Sequence, residues 1–102
     1  MSKNVQVEKL ESLDHLKAKN IPEIKKKAEE GDVECMFQYA TILHDGDGVK
    51  TDKKEAAHYY QLAADKGHVR SMETYGVILI RGDGIESNEK ESARYLQMAA
   101  DK

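Results

Sequence analysis

The chain lacks most of the features that would mark a specialised class. It has no basic block: 16 lysines and arginines are interspersed with 19 acids, for a net charge of −3. A nucleic-acid binder gathers its cations on a stripe or tail, so neither DNA nor RNA is an expected partner. No apolar run approaches the roughly 20 residues that a bilayer-spanning helix needs. The opening residues, MSKNVQVEKLE, contain no apolar leader core, and Ser2 stands where a myristoylation signal requires glycine. The one cysteine, Cys35, cannot form an internal disulfide. Together these absences predict a reduced, cytoplasmic protein with no membrane insertion. No stretch alternates apolar and polar residues with period two, so no strands are expected.

What is present is a long internal duplication. Residues 31–66 read GDVECMFQYATILHDGDGVKTDKKEAAHYYQLAADK, and residues 67–102 read GHVRSMETYGVILIRGDGIESNEKESARYLQMAADK. The offset is 36 without a gap, and 18 of the 36 positions are identical. A fixed period of this size is the signature of a stacked-repeat protein. At 102 residues the chain holds one domain with a real but small core. Its 39% apolar and 34% charged residues suit an elongated array with much surface per residue.

Each copy predicts two helices. The first runs over residues 33–44 and 69–80, with a core stripe of Met36, Tyr39, Ala40 and Leu43 matched by Met72, Tyr75, Gly76 and Leu79. Ala40 and Gly76 share a slot for tiny residues, which suggests that two helices cross closely there. Glycine in mid-helix costs roughly 1 kcal/mol against alanine, so Gly76 needs such a reason. A tight loop follows, Asp45-Gly46-Asp47-Gly48-Val49 or Arg81-Gly82-Asp83-Gly84-Ile85, whose glycines let the chain leave the helix at positive φ. Val49 and Ile85 are expected to tuck between the helices. The second helix starts at Asp52 or Asn88, with Glu55 or Glu91 three residues on, the capping-box spacing. Its core stripe is Ala56, Tyr59, Tyr60 and Ala63, or Ser92, Tyr95, Leu96 and Ala99.

Before the duplication, Asn20-Ile21-Pro22-Glu23 reads as a helix start, and residues 22–30 align one period back with the end of a second helix. Val7, Leu10, Leu13 and Leu16 predict an amphipathic helix over residues 5–19, either the first helix of this worn unit or a capping arm. The expected organisation is therefore a helical arm and degenerate unit at 1–30, then repeats at 31–66 and 67–102. The fold class is all-α, an α/α solenoid of antiparallel helix pairs.

The pattern resembles the Sel-1-like repeat, a relative of the tetratricopeptide repeat. The resemblance rests on Cys35/Ser71, Ala40/Gly76, Leu43/Leu79, Gly46-x-Gly48-Val49 and Gly82-x-Gly84-Ile85. It continues through Asp52/Asn88, Ala56/Ser92, Tyr59-Tyr60/Tyr95-Leu96 and Ala63-Ala64/Ala99-Ala100. It covers residues 31–102 throughout and 22–30 faintly. Tyr39 and Tyr75 stand where the family usually has leucine, Leu43 and Leu79 where it often has tyrosine, and Tyr59 and Tyr95 where it often has tryptophan. Each swap exchanges one large apolar body for another. The resemblance implies an α/α solenoid that serves as an adaptor for assembling protein complexes.

The candidate chemistry is sparse. An EF-hand opening at Asp45 needs glycine at its sixth position and glutamate at its twelfth, where Lys50 and Ala56 stand. Neither Gly-x-Gly follows a strand or precedes a Gly-Lys-Ser/Thr, so neither is a phosphate loop. His15, His44, His58 and His68 show no metal-ligand spacing with one another or with Cys35. Cys35 reads as a small buried hydrophobe, and the tyrosines at 39, 59, 75 and 95 recur with the period, as core residues do. No acid–base pair or activated nucleophile is visible. The expectation is a non-enzyme with no catalytic residue, cofactor or metal.

Binding is expected on the concave side, lined by the first helices. Their non-core positions are Glu34, Phe37, Gln38, Thr41 and Asp45, then Arg70, Glu73, Thr74, Val77 and Arg81. Phe37 and Val77 would anchor a bound helix or extended peptide; alternatively, Phe37 packs onto a neighbouring repeat. Two further readings stand beside this one. The copies end at a complete repeat, so either the sequence is part of a longer array or its open end docks onto something, and in the second case the last helix or the arm 1–20 would pair in a homo-oligomer. The Ile21-Pro22 bond would also serve a prolyl isomerase, although Pro22 is explained by helix initiation.

Overall fold

A computed structural model describes residues 20–102. The expectations for Val7, Leu10, Leu13, Leu16 and His15 lie outside the described residues. Within them the chain forms α1 (Ile21–Glu29), α2 (Val33–Asp45), α3 (Lys53–Asp65), α4 (Val69–Arg81) and α5 (Glu89–Ala100), and no strand. Each helix packs mainly on its neighbours in sequence, α1 on α2 through to α4 on α5. That is the nearest-neighbour order of an all-α helical repeat solenoid.

The helix ends follow from local chemistry. Asp52 accepts the Glu55 N–H and Asn88 accepts the Glu91 N–H, each at 3.0 Å. The reciprocal half of the capping box is replaced. The Asp52 N–H donates to the Leu43 carbonyl at 2.9 Å and the Asn88 N–H to the Leu79 carbonyl at 2.8 Å. A helix start is thereby tied to the preceding helix's end, which satisfies an orphan group on each. The first helices run one residue further than expected, to Asp45 and Arg81, where Gly46 (φ 71°) and Gly82 (φ 66°) cap them in the left-handed region. Asn20 departs from expectation: its side chain caps no backbone N–H but donates to the Glu23 carboxylate.

Two further caps had no sequence expectation. Asp32 accepts the Cys35 N–H at 2.9 Å at the start of α2. His68 replaces it one period later, its Nδ1 accepting the Ser71 N–H at 3.2 Å. The Ser71 hydroxyl also reaches Nδ1, at 2.7 Å, so the ring proton belongs on Nε2, facing Glu34 Oε2 at 3.2 Å.

Inside each pair the expected stripes meet. Tyr39 and Tyr59 stack edge to face at 5.2 Å, and Tyr75 and Tyr95 do so at 4.9 Å, the favoured geometry for rings. Gly76 is where α4 and α5 approach: a Cβ there would meet Leu96 Cδ2 at 2.7 Å, while the buried Ser92 hydroxyl donates to the Gly76 carbonyl at 2.7 Å. Val49 and Ile85 pack half-buried against the core.

The core is wider than the stripes. Ile42, Ile78, Ala57 and Ala64 are buried as well, whereas Tyr59, Leu96 and Ala99 are only half-buried. A stripe read from one helix pair counts one packing partner. In a stack, an internal helix has neighbours on two flanks and buries a second stripe against the next pair.

Candidate functional site

The ten expected interaction residues sit on α2 and α4, and the structure divides them. Gln38, Thr41 and Ile42 of α2 line a groove of about 620 Å³ together with Phe37, Cys35 and, from α1, Ile24 and Lys27. Exactly one period on, Thr74, Val77 and Ile78 of α4 line a second groove of about 260 Å³ with Arg81, His44, Tyr60 and Asp83. The same three repeat positions therefore form both floors. The second groove is smaller because α2 supplies His44 and α3 supplies Tyr60 as walls. No first helix precedes α2 among the described residues to narrow the other.

Glu34, Asp45, Arg70 and Glu73 lie outside both grooves. Glu34 faces the His68 ring, and Asp45 faces His44 Nδ1 at 3.2 Å. Arg70 lies with its guanidinium 5.3 Å from the Phe37 ring centre, a cation–π placement. Phe37 itself takes the packing role named as its alternative. Its ring meets Tyr60 edge-on at 5.7 Å and His68 at 5.0 Å, bridging the two repeats. Thr41 is also committed: its hydroxyl donates to the Phe37 carbonyl at 3.0 Å and so accepts from the Tyr60 hydroxyl at 2.8 Å. Val77, 42% exposed, is the apolar candidate that remains open.

Three features of this region were missed from the sequence. Ile80, at the end of the helix expected over residues 69–80, is 54% exposed. His44 Nε2 meets Asp83 Oδ2 at 2.8 Å, and Lys53 Nζ meets Asp83 Oδ1 at 3.0 Å, so the loop of the second repeat is clamped to the first. Asp83 raises the His44 pKa above its ordinary value, with Asp45 adding to it. The Asp83 carboxyl is held below its ordinary value by His44 and then Lys53. Finally, Gly84 abuts the start of α3: a Cβ there would meet the Lys53 backbone carbonyl carbon at 2.9 Å. The glycine was read only as a turn residue, and only the stacked repeat puts a wall against it.

Other candidate chemistry has structural roles. Cys35 is half-buried, and burial pushes its thiol pKa up, away from nucleophile character. Pro22 lies in the first turn of α1, where its missing N–H costs nothing. Among the described residues no three His, Cys, Asp or Glu side chains cluster to hold a metal ion, and no helix is long and apolar enough to cross a membrane.

Residues 33–68 and 70–102 match the family model described as Sel1 repeat. Among solved structures the chain is similar to a Sel1 repeat protein from Oxalobacter formigenes, with 25% identity and a TM-score of 0.79, over 82% of this chain and 35% of that one. It is similar also to c5321, a protective antigen present in uropathogenic Escherichia coli strains displaying an SLR fold. There the identity is 27% and the TM-score 0.79, over 82% of this chain and 18% of that one. The chain thus spans well under two thirds of the length of either. No curated protein matches it.

Proposed function

The chain belongs to the Sel1 repeat family, whose repeats generally mediate protein–protein interaction, and from that premise we propose that it is a non-enzymatic cytoplasmic adaptor. It binds a partner protein or peptide along the concave face of its first helices. Residues 31–66 and 67–102 serve as the two repeat units, and 1–30 as a degenerate N-terminal unit.

One observation carries this reading: two grooves built from the same repeat positions, 38, 41 and 42 and then 74, 77 and 78, one period apart. An extended segment or helix lying along them meets the same kind of floor twice, with different side chains at each step. Gln38 and Thr41 offer hydrogen bonds in the first groove, while Val77 offers an apolar anchor and Arg81 a cation in the second. Rigid helices position these side chains in advance, which lowers the ordering cost of binding.

The test is charge reversal at Arg70 and Arg81 together. Proteins captured by the wild-type chain and identified by mass spectrometry should be lost by R70E/R81E, while far-UV circular dichroism stays the same. Arg70 lies over Phe37, so stability should fall by the small amount that a cation–π contact supplies, about 0.5–1 kcal/mol at an exposed site. Capture that survives the double reversal would sink the concave-face reading.

A further inference from the structure

The two grooves share their repeat positions and differ in charge. Along the second, Thr74, Val77, Ile78 and Arg81 succeed one another on one side of α4, since steps of three, four and seven residues keep to one helix face. Their counterparts one period back are Gln38, Thr41, Ile42 and Asp45. At the first groove Lys27 is held by Glu23 at 3.4 Å, and Asp45 faces His44 Nδ1 at 3.2 Å. At the second, Asp83 spends one carboxylate oxygen on His44 at 2.8 Å and the other on Lys53 at 3.0 Å. Of the charged residues lining the grooves, Arg81 alone enters no ion pair among the described residues, and it is exposed. The Thr74 hydroxyl, two turns earlier in the same groove, has no hydrogen-bond partner among them either. A chain with a net charge of −3 thus turns an unspent cation and an unspent hydroxyl into one groove, over an apolar floor of Val77 and Ile78.

Given that a partner segment lies along the two grooves, which is the reading proposed for this face, we infer that the segment is acidic: it seats a carboxylate in the second groove, on Arg81 and Thr74, and apolar side chains in the first. A guanidinium donates two parallel N–H bonds to a carboxylate, and a threonine hydroxyl can donate to the same group. The second groove, at about 260 Å³, has less than half the volume of the first, at about 620 Å³, which suits one short polar side chain rather than a ring. The first groove presents Ile24, Phe37 and Ile42 and no unpaired charge, so the apolar side chains belong there. One arginine, with Asp83 lining the same groove, matches the single charge of a carboxylate better than the nearly double charge of a phosphate. A basic segment would set like charges against Arg81. Arg70, over the Phe37 ring of the first groove, is a second cation with no ion pair among the described residues. Glu73, the opposing charge nearby in sequence, is exposed and lies outside both grooves.

Selection from a phage-displayed library of random peptides tests it, with the full chain as bait. Wild type should recover sequences enriched in Asp or Glu together with Leu, Ile or Phe. A synthetic peptide of the recovered consensus should shift the amide NMR signals of residues 38, 42, 74 and 78, which reports occupancy of the grooves whatever the peptide's charge. Its affinity by fluorescence anisotropy should fall about tenfold or more when its acid becomes Gln, and likewise against Arg81→Gln, the loss expected for a charged hydrogen bond. Thr74→Val should cost less, about threefold, as a neutral hydrogen bond does. Arg81→Glu should turn the selection toward Lys or Arg in place of the acid. That exchange of preference is decisive, because a merely damaged fold would gain no new specificity. A library that yields no peptide, a consensus without acidic residues, or an affinity indifferent to the acid and to Arg81 would each overturn the carboxylate inference. With the groove amides still shifting, such a peptide would leave the groove reading intact. Shifts confined to other surfaces would overturn the reading and the inference together.

Discussion

Ala64 and Ala100 are the same residue at the same repeat position, in the same AADK ending of a second helix. One is 0% exposed and the other is open to solvent. The contrast extends outward. Phe37 bridges two repeats, whereas its counterpart Glu73 is exposed. His44 holds Asp83, whereas its counterpart Ile80 is 54% exposed. Within a pair the two copies share the tyrosine pairing and the Asp52/Asn88 and Gly46/Gly82 caps. They part company most where one pair touches the next. The lesson is that a repeat position has two kinds of neighbour. Its contacts inside the helix pair are set by its own unit, and its contacts outside are set by where the unit stands in the stack.

The sharpest way to break this comparison is to enlarge both alanines. Ala64→Leu inserts volume between α3 and α4 and should destabilise by about 1–3 kcal/mol. Ala100→Leu should stay within about 0.5 kcal/mol, as surface changes do. Urea denaturation of the two variants gives both numbers, and equal costs would mean that the two positions do not differ in environment.

The loops should show the opposite, two copies behaving alike. Gly46→Val and Gly82→Val each force a β-branched residue into the left-handed region, at about 1–2 kcal/mol or more. Position 46 should suffer the larger loss, because a Cβ there runs into the Thr51 side chain, while at position 82 it meets Ser87 Cβ at 3.2 Å. An unchanged melting temperature at either site would contradict the capping geometry described for it.

The smallest effect belongs to the clamp between repeats. His44 has a raised pKa, so its contribution is fully present below its ordinary value of 6.5 and is lost as pH rises through the folded value. Asp83 has a lowered pKa, so its contribution is present above its ordinary value of 3.8 and is lost as pH falls through the folded value. The pair therefore stabilises most between pH 3.8 and 6.5. Both side chains are partly exposed, so the contribution stays below about 1 kcal/mol. Thermal melts should show wild type exceeding His44→Gln by a few degrees within that window, with the gap closing at alkaline pH. A gap that is the same at every pH would mean that His44 acts by packing alone.

Much of the fold was legible in the residues because repeat identities encode local chemistry. Asp52 and Asn88 announce a helix start, since a short side-chain acceptor can reach the N–H three residues on. Gly46 and Gly82 announce a stop, since they alone tolerate the αL turn. The candidate surface was legible only as a set of positions. Nothing along the chain says that Phe37 will lie under Arg70 and against His68, or that Asp83 will reach back to His44. Those contacts join residues about a period apart, and a helical stripe carries no information about what lies beyond its own pair. The exposure of Ile80 is of the same kind, since its position at a helix end does not say what packs beside it.

By itself, then, the sequence determined the period, the helix boundaries to within a residue or so, the caps at Gly46, Asp52, Gly82 and Asn88, and the ring and small-residue pairing inside each unit. All of these depend on interactions spanning a few residues or on a repetition that can be seen directly. The tertiary structure alone decided which copies of a shared residue are covered, where the two grooves run, and which face of the last pair is left open. Burial is a property of what stands alongside in the stack, and two identical alanines become different residues once only one of them has a neighbour.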